Sequence, residues 1–167
     1  MERLRLAGTG RAHDGATVIW SVAEGRRGRR WREAVTRDGP VLHSLLLELD
    51  PAGRFAHLEL TTPAGLLTLH PEGDGTIHGN AVTASGITHV RGVPWGPDDV
   101  IVVGHSVVCQ AVAGSWQRAR GLDALRVVKV EPDLSLTRER TSSRRADQDG
   151  GELPVLEDPH MWPLEEA

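Results

Sequence analysis

Between Val41 and Asn80 the alternation of apolar and polar residues predicts two β-hairpins in succession, with apolar side chains on both faces of their strands. The first hairpin turns at Asp50-Pro51-Ala52-Gly53. Proline suits the first central position there, and glycine suits the positive-φ position of a type I turn plus bulge. If Asp50 opposes Arg54, then Leu49 faces Phe55, Leu47 faces His57 and Leu45 faces Glu59. One face then carries His43, Leu45, Leu47, Leu49, Phe55, His57 and Glu59, and the other Leu42, Ser44, Leu46, Ala56, Leu58 and Leu60. A sheet with one wet face alternates cleanly, so this pattern implies that both faces are covered. The second hairpin reverses through Pro71-Glu72-Gly73-Asp74-Gly75. If His70 opposes Thr76, the polar Thr68, His70, Thr76, His78 and Asn80 share one face, with Leu67, Leu69 and Ile77 on the other.

Further strands are predicted over Ala16–Val22 and around Trp31, Glu33 and Val35, joined by the Arg- and Gly-dense stretch Glu24–Arg30. Val100–Ala113 reads as the longest strand, apolar on both sides, with His105 within it; Ser115 is placed to cap one short helical turn over Trp116–Ala119. A last hairpin joins Leu125–Val130 to Leu134–Ser142 across Glu131-Pro132-Asp133. The whole of 1–167 forms one β domain, with a polar, Pro-rich tail over 146–167 packed on the body. The fold class is all-β: a single strongly bent antiparallel sheet or half-open barrel. It is a meander of about nine or ten strands with at most one or two short helices. Such a sheet leaves an apolar concavity in which a small molecule can bind.

A formal net charge of -4 argues against nucleic acid as a partner. The one cysteine, Cys109, permits no internal disulfide, and neither an apolar leader nor a long apolar run is present, which points to a cytoplasmic protein with no transmembrane segment. Of the 8 histidines, His43, His57, His70, His78, His89 and His105 fall in the β-region. His57 and Glu59, with His43 diagonal to them, have the makings of a two-His, one-carboxylate set, but no metal-binding spacing is present and neither a metal nor a cofactor is expected. Cys109 sits in an apolar run, where a thiol is inert, and no serine has a nucleophile-elbow context. The Arg26–Arg32 cluster has the chemistry to clamp phosphate or carboxylate, although a solvated charge run is the commoner meaning of such a stretch.

Several stretches together resemble the bacterial glycolipid-binding family, whose fold is similar to the LolA-type lipoprotein carriers. They are Trp31 followed by Leu45-Leu46-Leu47-Glu48-Leu49, Gly79-Asn80, Val127–Leu136 with Pro132 in its turn, and the tail from Asp149-Gly150 to Trp162-Pro163-Leu164. The resemblance implies a bent sheet around a hydrophobic cavity. The function expected is non-enzymatic binding or carrying of an amphipathic, lipid-like or glycolipid-like molecule in the concavity of the sheet. Leu45, Leu47 and Phe55 would form apolar wall, His43, His57 and Glu59 polar contacts, and Arg30 and Trp31 the mouth. Two alternatives stay open: a hydrolase or isomerase using His57 and Glu59 in the same cavity, and a structural homodimer joined through the second apolar face.

Overall fold

The computed structural model describes residues 4–12, 14–104, 106–142 and 157–163. Eight strands follow one another as antiparallel neighbours: β1 (Arg5–Arg11), β2 (Thr17–Gly25), β3 (Gly28–Thr36), β4 (Val41–Leu49), β5 (Phe55–Thr62), β6 (Gly65–Pro71), β7 (Thr76–Thr83) and β8 (Gly86–Pro94). A second, three-stranded sheet contains β9 (Asp99–Val103), β10 (Ala124–Val130) and β11 (Leu136–Ser142), and α1 (Val107–Arg120) connects β9 to β10. Finally β12 (Glu157–Pro163) pairs with β1, which makes the large sheet nine-stranded and open. The expected all-β meander with very little helix is therefore the architecture of the chain. Of the expected 146–167 tail, 157–163 pairs with β1 and the rest lies outside the described residues.

The second sheet is the part that a simple meander lacks. Its strands β9 and β10 run parallel, and a parallel pair needs a crossover, which α1 supplies. The single strand expected over Val100–Ala113 is thus corrected: β9 stops at Val103 and the helix begins at Val107. Ser106 caps it, its hydroxyl accepting the Cys109 N–H at 3.0 Å. Val107, Val108, Cys109 and Ala113 are buried, Val108 and Cys109 in the main core and Val107 and Ala113 in two smaller clusters, so apolar residues that mimic a two-sided strand in fact spread around a helix packed on several sides. The short helix expected over Trp116–Ala119 is the last part of α1, and His105 lies outside the described residues.

The core lies between the inner face of β4–β7 and this second unit. Leu47, Leu58, Leu60, Leu67, Leu69 and Ile77 meet Ile101, Val103, Val108, Cys109, Val128 and Val130. Each such side chain contributes about 1.5–3 kcal/mol by leaving water. The concavity expected to hold a ligand is filled by the chain's own helix and second sheet.

The Asp50–Gly53 turn forms as expected: the Gly53 N–H donates to the Asp50 carbonyl at 2.9 Å, Gly53 has φ 81°, and Leu49 faces Phe55. Immediately beyond, the register departs from expectation. Ala56 has no cross-strand partner, Glu48 faces His57, Leu47 faces Leu58 and Leu45 faces Leu60. One extra residue in β5 exchanges its two faces, turning Leu58 and Leu60 inward and His57 and Glu59 outward. Without that bulge a carboxylate would be forced in among leucines, which is costly. In the second hairpin His70 faces His78 instead of Thr76. A shift of two residues preserves the faces, and Leu67, Leu69 and Ile77 are buried as expected. The expectation that both faces are covered is corrected: on the outer face Val82 is 41% and Ile87 65% exposed.

Candidate functional site

Strands β2 and β3 are joined by a tight turn in which Gly25 faces Gly28 and Arg26 and Arg27 form the tip. Gly28 has φ 113°, and a Cβ there would lie 2.0 Å from the Leu49 carbonyl oxygen, so only glycine lets this hairpin lie flush on β4. That close approach brings Arg29 opposite Leu49 and Arg30 opposite Glu48. A groove of about 500 Å³ results, walled by Arg5, Arg26, Arg27, Arg29 and Arg30 with Glu24 and Glu48, and lined on its apolar side by Ala23, Leu49 and Ala56. Arg29 donates to Glu24 at 2.8 Å and the Arg30 Nε–H to Glu48 at 2.6 Å. Both pairs are solvent-exposed and contribute only about 0–1 kcal/mol each, so they rearrange easily around a ligand. Arg5, Arg26 and Arg27 have no carboxylate partner among the described residues, and the Arg29 Nε is buried without a hydrogen-bond partner.

A second, smaller recess of about 50 Å³ opens between the Asp50–Gly53 turn, the loop carrying Trp95, and α1. Leu47, Phe55, Trp95, Val112 and Trp116 line it, and Leu49 lines both it and the groove. The Phe55 and Trp95 rings meet edge to face with centroids 5.3 Å apart. Pockets that enclose a small molecule typically measure about 300–1,000 Å³. The groove falls within that range and the recess well below it. Asp99 on the recess wall is buried and ion-paired to Arg126 at 2.6 Å and Arg138 at 3.3 Å, which neutralises the carboxylate from the second sheet.

A third cluster is wholly internal. The Glu33 carboxylate on β3 is 2.6 Å from the His43 Nε2 and accepts the Val108 N–H at 2.8 Å, tying the first turn of α1 to the large sheet. An acidic group at a helix N-terminus complements the exposed amides and the helix dipole. Cys109 lies beside it. Burial pushes its thiol up to about 12, with the Ser106 hydroxyl opposing the shift and the Glu33 charge reinforcing it. A thiol in that state is a poor nucleophile. The cluster braces the joint between helix and sheet.

The eight residues named from sequence are scattered by this geometry. Arg30 lines the groove, Leu47 and Phe55 line the recess, and Leu45 is core. His43 is buried against Glu33, and Trp31 packs inward with its ring 5.9 Å from that of Trp20 instead of standing at a mouth. His57 and Glu59 are 3.1 Å apart on the outer face, separated by the sheet from Leu45 and Leu47, so a cavity shared by all of them is corrected. The bulge at Ala56 is the cause. It also separates His57 and Glu59 from His43, which undoes the two-His, one-carboxylate set. Among the described residues no three His, Cys, Asp or Glu side chains converge to hold a metal ion. Arg26, Arg27 and Arg29 were visible in sequence as a charged run, whereas Arg5, Ala23 and Ala56 join them only through strand pairing. Among the described residues no helix is long and apolar enough to cross a membrane. No family model, no curated protein and no solved structure matches this chain.

Proposed function

We propose that the protein binds a small amphipathic molecule without chemically altering it, and that the groove beside the β2–β3 hairpin is where it does so. One observation carries this reading: the groove, of about 500 Å³, combines a charged wall with an apolar lining of Ala23, Leu49 and Ala56. Charged groups there suit a polar head, and the alanines and Leu49 suit the first carbons of an apolar part. The recess beyond Leu49 is wide enough only for the end of such a part. A binder of this class agrees with the resemblance to glycolipid-binding proteins. The groove contains no nucleophile paired with a base, and His57 and Glu59 do not line it.

Native mass spectrometry of gently purified protein, followed by organic extraction, tests the reading. An amphiphile released at near-stoichiometric occupancy, absent from the groove-filling variant Ala23→Trp, is the expected result. If neither co-purifying material nor added decyl phosphate, decanoate or decyl maltoside binds, the proposal fails. The homodimer alternative rests on a different observation, the exposed apolar side chains Leu66, Val82 and Ile87 placed side by side on β6, β7 and β8. A dimeric mass that reverts to monomer in Ile87→Lys would favour it.

A further inference from the structure

We infer that the head group this groove selects is a phosphoryl group carrying close to two negative charges. The inference rests on the binding reading above and specifies its chemistry. Charge decides it. The chain as a whole is acidic, with a formal net charge of -4, yet this groove gathers five arginines against two glutamates. Glu24 and Glu48 are matched by Arg29 and Arg30. Arg5, Arg26 and Arg27 keep their positive charges unmatched among the described residues, and the Arg29 Nε–H is buried with nothing to donate to.

A single carboxylate offers one charge to that set, whereas a phosphomonoester offers about 1.5 to 2 and three acceptor oxygens. Guanidinium forks donate in pairs to such oxygens, which a lysine cannot do. The arginine pair at the hairpin tip projects from a turn whose backbone is fixed against β4 by Gly28, so the backbone carrying these donors is already placed beside the groove and only the side chains have to be ordered by a ligand. A free phosphate, a soluble phosphomonoester and a lipid phosphate all present this group, and the length of the attached chain distinguishes them.

The experiment is isothermal titration of the full chain with inorganic phosphate, decyl phosphate and decyl maltoside. It uses wild type, the double variant R26Q/R27Q, and Arg91→Gln as a surface control outside the groove. Binding of both phosphates that falls at least tenfold in the double variant and stays unchanged in the control supports the inference. Decyl phosphate binding at least tenfold more tightly than inorganic phosphate identifies a lipid-like source. Equal affinities identify a soluble one and remove the amphipathic reading while leaving the phosphoryl site intact. Decyl maltoside binding as tightly as decyl phosphate, with no effect of R26Q/R27Q, overturns the phosphoryl inference and leaves the amphipathic reading standing. Failure of all three probes overturns both.

Discussion

The two faces of the large sheet are built from the same strands and obey different rules. On the inner face side chains are sorted by burial: Leu58, Leu67, Leu69 and Ile77 are completely enclosed by α1 and the second sheet. On the outer face they are sorted by position along the strand. One cross-strand row runs from Ile19 through Ala34, Ser44 and Thr61 to Leu66, Val82 and Ile87 without a charge. Two rows away, toward the arginine hairpin, Arg30 faces Glu48 and Glu48 faces His57, while His70 faces His78. The outer face thus grades from uncharged at the Thr62–Gly65 end to charged at the Asp50–Gly53 end, and the groove lies at its charged limit. The difference teaches that apolar residues on both sides of a strand need not mean two cores. One set is covered, and the other stays on an exposed face, where Ile19, Leu66, Val82 and Ile87 share one uncharged row.

Four measurements probe that contrast. Leu58→Ala, in the inner face, is expected to lower unfolding free energy by about 3–5 kcal/mol in urea titration, since it opens a cavity in a closely packed layer. A loss under about 1 kcal/mol would mean that the inner layer is loosely packed. Next in size is an alkaline effect from Cys109. Its folded thiol titrates at about 12 against an ordinary 9.0, so its contribution is complete below the unfolded value and lost as pH rises toward the folded one. Stability should fall by about 2–3 kcal/mol between pH 9 and 11. The chain has no tyrosine to share that window, and Cys109→Ser should flatten the decline. Glu33→Gln weakens the joint between β3 and α1 and should cost about 1–3 kcal/mol, with faster amide exchange at Val108. Unchanged exchange there would remove the bracing role. Smallest of all, Leu66→Thr on the outer face should change stability by no more than about 0.5 kcal/mol. A larger loss would show that this row is covered in solution.

Much of the fold was legible because hairpins are local. The Asp50–Gly53 turn, the opposition of Leu49 and Phe55, and the burial of Leu67, Leu69 and Ile77 follow from turn chemistry and a period of two. The helix was not legible, because Val107, Val108 and Val112 satisfy a strand pattern as well as a helical one. What separates the two is Ser106 capping Cys109, a contact that is evident only once Gly104 is known to end the strand. The site was half legible. Arg26–Arg30 stood out by composition, but its neighbours Arg5, Leu49 and Ala56 come from other strands, and which strands lie adjacent depends on pairing across the whole sheet. His57 and Glu59 were misplaced by one unpaired alanine, which no turn signal announces.

That alanine also determines where this chain tolerates a change in length. Removing Ala56 would restore simple alternation to β5 while keeping Leu58 and Leu60 in the leucine layer, whereas pairing Ala56 with Glu48 at unchanged length would drive His57 and Glu59 into that layer and expel Leu58 and Leu60. A residue added or lost at the two-residue Pro63–Ala64 turn, between paired Thr62 and Gly65, would instead force β5 and β6 to change register. The chain therefore carries a reading frame of its own in three dimensions, and its unpaired position 56 is a place where one residue can be lost without shifting that frame.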